Sequence, residues 1–281
     1  MTEENVAAVA QDVVETAAEG SVSKKVSEDY FADFDFANLA IDMNAMLKAG
    51  VHFGHQKSRR NPKMDEYIFG IRNGVNIIDL QKTVSRLADA VRFVEKIVSE
   101  GQDVLFVGTK KQAKKLVESG ARRCGSPYVI DRWLGGTFTN FGVISGRTRF
   151  LRDGEEKMKR GEYEKYTKFE QMKMAEELER LERRMGGIKH MMKLPAAIFV
   201  TGVIEDTLAI KEAVKRNIPI IAFVDTNVDP SQIDYPIPAN EDAVSSLRLM
   251  MAHMVKAVLS GKEKAMAIRN SAAAAAVKAE K

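Results

Sequence analysis

Three continuous apolar runs, each followed by a turn or a helical segment, constrain the fold of this chain more than any other feature. They cover residues 103–109, 195–201 and 218–224, and a weaker run covers 128–130. Apolar residues in unbroken succession, rather than in alternation, are typical of strands that are buried on both faces. Strands that alternate with helices indicate a parallel sheet. The sequence therefore predicts a doubly wound, Rossmann- or flavodoxin-like α/β fold.

Helical periodicity fills the intervals around these runs. Apolar residues recur at helical spacing in 80–99 and in 242–259, while the segments 110–124 and 206–216 each follow a predicted strand. We interpret the Leu and Met stripes of these segments as core rather than as a cofactor site, because an amphipathic helix buries its apolar stripe against the sheet.

Residues 146–193 follow a different pattern, dense in charge and with apolar residues three and four positions apart. Thr167 and Glu170 form a capping box that predicts the start of a second helix, and Gly186-Gly187 predicts its end. The segment is therefore expected to be an inserted antiparallel α-helical hairpin, coiled-coil-like, that projects from the sheet domain. Its charges form either a solvated face or a projecting surface that contacts RNA or protein.

The other segments complete the predicted domain plan. Residues 39–145 and 194–262 are expected to form the α/β domain on either side of the hairpin. Residues 1–38 lack a sustained apolar period and are expected to be a disordered acidic extension, with the signature of neither a transit peptide nor a secretory signal. Residues 263–281, rich in alanine and lysine, predict a frayed helix or a loose tail.

Charge is divided unevenly along the chain. Residues 1–37 hold nine acidic residues and two lysines, which gives a net charge of −7. Because the whole chain of 281 residues carries +4, the remainder carries +11. A folded body that basic suggests a polyanionic partner such as nucleic acid, although a soluble basic protein without such a partner would show the same charge.

The sequence lacks the signatures of several classes of protein. No run approaches the ~18 uncharged apolar residues of a membrane span, and the single cysteine, Cys124, excludes an internal disulfide and suits a reducing cytosol. The nucleotide signatures G-x-G-x-x-G and G-x-x-x-x-G-K-[ST] are missing, as are G-x-S-x-G and H-E-x-x-H. The sequence predicts no catalytic residue, no metal site and no cofactor.

Lys110 and Lys111 follow the first apolar run at the expected start of a helix. Free backbone N–H groups and the positive end of the helix dipole suit a phosphate there, and RNA supplies phosphates. One alternative is an ordinary turn with two solvated lysines. Another is a nucleotide-dependent enzyme that binds a cofactor phosphate, against which the missing glycine signature argues.

Two histidines raise the question of a cation. His52 and His55 flank Phe53-Gly54, and with Asp225 at the end of a predicted strand they could meet a divalent ion. Nothing in their spacing requires that, so we favour a structural or an RNA-facing histidine pair.

The segment 57–63 is the strongest direct indication of an RNA-binding surface. A cationic loop that is stiffened by Asn61-Pro62 loses less entropy on gripping phosphate than a flexible loop does. Arg72 follows shortly afterwards, and a merely solvated basic loop is the alternative. The four cations within these seven residues are Lys57, Arg59, Arg60 and Lys63.

Residues 131–140 are the second indication. They hold the only tryptophan, Trp133, beside Arg132 and before two glycines. Glycines allow a backbone to approach a partner closely. Trp133 either stacks on a base or, as we favour, lies buried beneath the glycine turn.

Eight ordered stretches together carry a resemblance that none of them would support alone. They are similar, in the same order, to the signature stretches of the small-subunit ribosomal protein S2 family, bacterial type, over about residues 40–262. The stretches are residues 46–55, 60–64, 67–72, 106–110, 132–136 with 139–140, 186–188, 210–213 and 224–227.

This resemblance implies a structural constituent of the small ribosomal subunit rather than an enzyme, with a doubly wound domain and an inserted helical hairpin. It implies a cytoplasmic, ribosome-bound protein at the junction of head and body, which supports subunit assembly and translation. The expected partners are small-subunit ribosomal RNA and neighbouring ribosomal proteins, including the large first protein that recruits messenger RNA. No membrane partner is expected.

The resemblance also implies particular site residues. Residues 1–38 are longer than the usual start of the family, and 201–206 are less acidic than in many members, so no metal site is transferred. Lys57, Arg59 and Lys111 are assigned to RNA on charge alone. RNA contact is carried over by resemblance to Arg60, Lys63, Arg72, Lys110 and Arg132.

Overall fold

The computed structural model describes residues 30–32 and 34–279 of the chain. The helices are α1 (Met43–Ala49), α2 (Leu80–Ser99), α3 (Lys111–Cys124), α4 (Phe141–Lys159), α5 (Lys168–Met185), α6 (Thr207–Lys215) and α7 (Val244–Ala279). The strands are β1 (Phe53–Gln56), β2 (Ile68–Arg72), β3 (Val75–Ile78), β4 (Val104–Val107), β5 (Tyr128–Val129), β6 (Ala197–Val200), β7 (Ile220–Val224) and β8 (Tyr235–Pro238). Short 3-10 turns lie at Lys57–Arg59, Pro62–Tyr67, Gly186–Ile188 and Pro230–Gln232.

A five-stranded parallel sheet forms the centre of the domain, in the order β5-β4-β6-β7-β8. The chain adds β5 on one side of β4 and the later strands on the other, so the winding reverses between β4 and β6, as in doubly wound folds. The four predicted strands and the α/β class are confirmed. β8 was missed because its two prolines, Pro236 and Pro238, weaken the strand pattern; they are tolerated because β8 is an edge strand.

Side chains of the central strands alternate between two cores, one on each face of the sheet. Phe106, Phe199 and Phe223 share one face, with successive ring centroids 5.4 and 4.9 Å apart, and join a core with α2, α3 and α7. Leu105 and Ile198 point to the opposite face, into a core with α6. Burial on both faces is the physical reason for the continuously apolar strand sequences.

A second sheet of three antiparallel strands precedes α2, in the order β1-β3-β2. This sheet was not predicted, although Asn73-Gly74 between β2 and β3 is a strong signal for a two-residue hairpin. Both turn residues have positive φ, 50° and 76°. The sheet leaves Phe53, Phe69 and Ile71 exposed, with Phe69 80% accessible.

Helices α4 and α5 connect β5 to β6. The predicted capping box is present: the Thr167 N–H donates to the Glu170 carboxylate at 3.0 Å, and Thr167 Oγ1 accepts the Glu170 N–H at 3.4 Å. The two helices pack closely at Gly154, where an added Cβ would lie 2.5 Å from the Leu178 side chain. That residues 146–193 form a separate inserted hairpin stays a prediction.

The described end of the acidic extension corrects a predicted boundary. The sequence places 1–38 in a disordered extension, yet Phe31 is fully buried beside Gly120 of α3. The Arg248 guanidinium of α7 donates to the Tyr30 carbonyl at 2.7 Å. Aromatic residues at the end of the extension supply the apolar surface that orders this stretch. Residues 1–29 lie outside the described part of the chain.

Helix α7 corrects a second boundary. The sequence predicts that the last helix ends near residue 259, but α7 continues to Ala279. The alanine-rich composition beyond 265 explains the extension, since alanine has the highest helix propensity.

Candidate nucleic-acid interface

The basic loop, residues 57–63, is tied to the domain at several points. Asn61 Oδ1 caps the following 3-10 turn by accepting a backbone N–H at 3.0 Å. The Asn61 N–H donates to the Thr226 carbonyl at 2.8 Å, and the Lys57 N–H donates to the Gly74 carbonyl at 2.9 Å. The loop is therefore held between the carboxyl end of β7 and the β2–β3 turn, which limits the entropy that it would lose on binding.

Two of the predicted RNA-contacting cations of this loop are ion-paired within the protein. The Arg60 guanidinium lies 2.6 Å from the Asp65 carboxylate. The Lys63 ammonium lies 2.7 Å from Asp229 Oδ2 and 2.9 Å from Ser231 Oγ. The hydrogen bond from Lys63, together with Ser231, lowers the pKa of Asp229 to about 2. These two cations therefore already have anionic partners.

Three other cations at this end of the domain are free to meet a partner. Lys57, Arg59 and Arg72 are exposed, and their side chains make no ion pair or hydrogen bond with the rest of the described chain. The bond from Lys57 N–H to Gly74 places the start of the basic loop against the turn that follows Arg72. The fold thus joins cations from the basic loop and from β2 on one surface.

The prediction that Lys110 binds a phosphate is corrected by the structure. Its ammonium lies 3.1 Å from Glu241, 2.7 Å from Asp242 and 3.9 Å from Glu205, and its side chain is only 13% exposed. Carboxylates surround the start of α3, so a phosphate would meet negative charge rather than a free lysine. Sequence reasoning missed these acids because they come from distant segments of the chain.

Lys111 and Arg132, in contrast, are exposed and have no ion pair among the residues that the structure describes. Lys111 is the first residue of α3, after β4, and Arg132 follows β5. Adjacent parallel strands end at the same edge of a sheet, so both residues lie at its carboxyl edge. We call the five free cations the carboxyl-edge cations: Lys57, Arg59, Arg72, Lys111 and Arg132.

The loop 131–140 is anchored by a residue that sequence reasoning did not single out. The Glu212 carboxylate of α6 accepts the N–H groups of Gly136, Phe138 and Thr139 at 2.7, 2.9 and 3.2 Å. Burial raises the pKa of Glu212, but the backbone donors outweigh it and the net shift is downward. No local sequence signal pointed to this role, because donors and acceptor are more than 70 residues apart.

Trp133 is buried, as we favoured, with 5% of its surface accessible. It packs edge to face against Phe138, with ring centroids 4.9 Å apart. Burial leaves its ring unavailable for stacking on a base. Its role is to support the loop that presents Arg132.

The histidine cluster is only partly as considered from sequence. His55 Nδ1 lies 3.1 Å from Asp225 Oδ2, and Nε2 lies 3.4 Å from Asp242 Oδ2. The pKa of His55 is raised, first of all by the Asp225 carboxylate. The ligand atoms of these three residues lie within 4.8 Å of one another and could hold a cation. His52 is not part of the group; it packs on Phe53, with ring centroids 4.0 Å apart.

The reversal point between β4 and β6, where doubly wound enzymes bind nucleotides, is filled by the chain itself. Asp206 Oδ2 accepts the Thr109 N–H at 3.3 Å, and burial raises the pKa of Asp206 to about 6. Burial also raises the pKa of Glu241 to about 7, against the attraction of Lys110. An added Cβ at Gly108 would lie 2.5 Å from Thr201 Oγ1. A nucleotide phosphate would meet little space and several carboxylates here.

We expect Asp206→Asn to raise the free energy of unfolding by about 1–3 kcal/mol at about pH 8 and to leave it nearly unchanged at about pH 4. The folded pKa lies above the ordinary value of 3.8, so the native protein loses stability as pH rises toward about 6. Asparagine keeps an acceptor for Thr109 and carries no charge. Urea denaturation at both pH values measures the difference. A less stable variant at about pH 8 would mean that the carboxylate stabilises the start of α6.

The fold and this edge define a class of protein. It is a doubly wound α/β protein whose reversal point is closed by its own acids, and whose free cations stand on short, tethered loops. That arrangement is typical of a binding protein rather than of a nucleotide-dependent enzyme. Within the described residues, no helix has the length and apolar character to cross a membrane.

Comparison with known proteins identifies the family. The family model described as ribosomal protein S2 matches residues 46–261. The small ribosomal subunit protein uS2 of Roseiflexus sp. (strain RS-1) is 49% identical over 228 residues, which cover 81% of this chain and 87% of that protein. The protein of the same name from Roseiflexus castenholzii (strain DSM 13941 / HLO8) is 50% identical over the same shares.

The chain belongs to the ribosomal protein S2 family. This confirms the resemblance inferred from the eight stretches. Because that family is structural and non-enzymatic, the chain is a ribosome-associated structural protein of the small subunit with a part in translation, and it is not an enzyme.

Proposed function

We propose that this chain binds small-subunit ribosomal RNA through the carboxyl-edge cations and holds that RNA in position without chemical change. The observation that carries the proposal is that these side chains are exposed and unpaired while the loops beneath them are tied down. The Thr226 and Gly74 carbonyls hold the basic loop, and the Glu212 carboxylate holds the loop of Arg132.

The binding energy would come mainly from neutralised phosphates and released counterions. The free cations project from several separate segments of the chain. They are therefore suited to phosphates of a folded RNA backbone rather than to a linear sequence of bases. Arg60 and Lys63 are expected to contribute less to RNA affinity, because each must exchange a carboxylate partner for a phosphate before it can bind RNA. Lys110 is left out, because its three carboxylate neighbours hold it inside the protein.

A protein partner is also proposed, for an adjoining surface that Arg72 borders. Phe53, Phe69 and Ile71 line a groove of about 780 Å³ beside the three-stranded sheet, and all are exposed. Exposed apolar groups that share one groove are typical of protein contacts. We propose that neighbouring small-subunit proteins, among them the large first protein that recruits messenger RNA, contact the chain here.

The remaining parts of the plan are proposals as well. We propose that the chain sits at the junction of head and body, and that residues 39–145 and 194–262 act as one domain. Residues 146–193 then form an inserted hairpin, while Phe31 and α7 beyond residue 262 pack with the α/β domain.

The direct test is a titration of the purified, RNA-free chain with small-subunit ribosomal RNA over a series of salt concentrations. With three to five phosphates neutralised by the five carboxyl-edge cations, log K should fall with log salt at a slope of about −3 to −4.5. ATP and NAD should show no binding, and tagged chain should sediment with small subunits in cells. Salt-independent binding, or tagged chain that sediments free of subunits, would overturn the proposal.

A further inference from the structure

One face of the α4–α5 pair carries a groove outside the carboxyl edge. Its lining side chains recur at intervals of three and four residues on each helix, so each helix contributes a single stripe. The groove has a volume of about 480 Å³. Its lining residues are Val143, Gly146, Arg147 and Phe150 of α4, and Glu177, Arg180, Leu181 and Arg184 of α5.

The arginines of this groove have no anionic partner. Arg147, Arg180 and Arg184 are exposed and form no ion pair with any residue that the structure describes. By contrast, Arg183 of α5 is paired with Glu179 at 3.0 Å. Three guanidinium groups thus share a groove that contains a single carboxylate, from Glu177.

The floor of the groove suits a flat, unpaired ligand. Phe150 is 54% exposed among the arginines, although its ring is large and apolar. An added Cβ at Gly146 would touch nothing within 4 Å, so the backbone of α4 is open to close approach there. Leu181 supplies an apolar base from α5. Guanidinium groups bind phosphates, and an aromatic ring stacks on bases that are not paired.

We propose that this groove binds an unpaired stretch of small-subunit ribosomal RNA, as a second site apart from the carboxyl edge. Arg147, Arg180 and Arg184 contact successive phosphates, and Phe150 stacks on a base. The inference rests on the proposed RNA-binding function. It adds a second binding site, the groove between α4 and α5, and specifies that the RNA bound there is unpaired. An acidic protein segment would use the arginines as well, but it would make no stacking contact with Phe150.

The test uses the full chain and a short oligouridylate of about 12 nucleotides, which has no folded structure to fit the carboxyl edge. Arg147→Ala with Arg180→Ala should weaken its binding about 10- to 100-fold at ~0.1 M salt and reduce the salt slope by about 1.4, since single strands lose ~0.7 per phosphate contact. Phe150→Ala should weaken binding about 5- to 100-fold without changing the slope. The matched control is Arg183→Ala, which removes a paired arginine of α5 and should change little.

The outcomes separate this site from the proposed function. Carboxyl-edge variants should leave oligouridylate binding intact and impair only binding of folded ribosomal RNA. Unchanged oligouridylate affinity in the Arg147 and Arg180 double variant, with normal helix content, would overturn the groove while leaving the carboxyl edge untested by that result. Equal competition by polyglutamate together with no effect of Phe150→Ala would also overturn it, in favour of an acidic protein partner.

Discussion

Replacing Lys57, Arg59 and Arg72 together with glutamate should weaken binding to small-subunit ribosomal RNA by at least about 100-fold at ~0.1 M salt. Three phosphate contacts are lost, and three negative charges then face the RNA backbone. The slope of log K against log salt should become shallower by about 2 to 3. Filter binding over a salt series measures both quantities, and sedimentation of tagged protein shows whether incorporation into subunits falls in parallel.

The matched control reverses Lys96 of α2, Lys215 of α6 and Lys193, which precedes β6; all three are exposed. It makes the same change in net charge away from the carboxyl edge. Only a small loss of affinity is expected, because exposed charges beyond a Debye length are largely screened. If both triple variants lost affinity equally, overall charge rather than the carboxyl edge would govern binding.

Arg60→Glu and Lys63→Glu provide a comparison within the same loop. Because these cations are already paired with Asp65 and Asp229, reversing them should weaken RNA binding less than reversing Lys57 and Arg59 does. The two double variants differ in the partners of the cations and barely in their position. Equal losses would show that the internal pairs open on binding.

Glu212→Ala should lower the free energy of unfolding by about 3–5 kcal/mol, the largest stability effect that we expect from a single polar residue in this chain. Removing the carboxylate leaves the Gly136, Phe138 and Thr139 N–H groups without their acceptor in a mostly buried setting. Urea denaturation measures the loss. Trp133, the only tryptophan, lies in the same loop, so its fluorescence should shift to the red if the loop loosens.

Two controls sharpen this expectation. Glu212→Gln keeps one oxygen acceptor and should lose less stability than the alanine variant. Glu177→Ala removes an exposed glutamate of α5 and should stay within about 0.5 kcal/mol of the native protein. The lowered pKa of Glu212 means that its contribution is present above the ordinary value of 4.5 and is lost as pH falls through the folded pKa. An alanine variant as stable as the native chain would contradict the anchoring role.

The sequence by itself determined four strands of the parallel sheet, the bounds of α2 and the family. The strands Val104–Val107 and Ala197–Val200 are continuously apolar because both of their faces are buried, and α2 has the predicted bounds of 80–99. The capping box at Thr167 was likewise readable, since its partners are three residues apart. Periodicity and capping are local properties of the chain, so they can be predicted without knowledge of the fold.

Tertiary structure alone decided which predicted cations are free. Lys63 is paired with Asp229, 166 residues away in sequence, and Lys110 with Glu241, 131 residues away, whereas Lys57 and Arg59 have no carboxylate partner among the residues that the structure describes. The same holds for Glu212, whose three donors come from another part of the chain. The energy of a charge depends on the distance to its partners and on its exposure to water. Folding sets both distance and exposure, and residue type and spacing along the chain do not contain them.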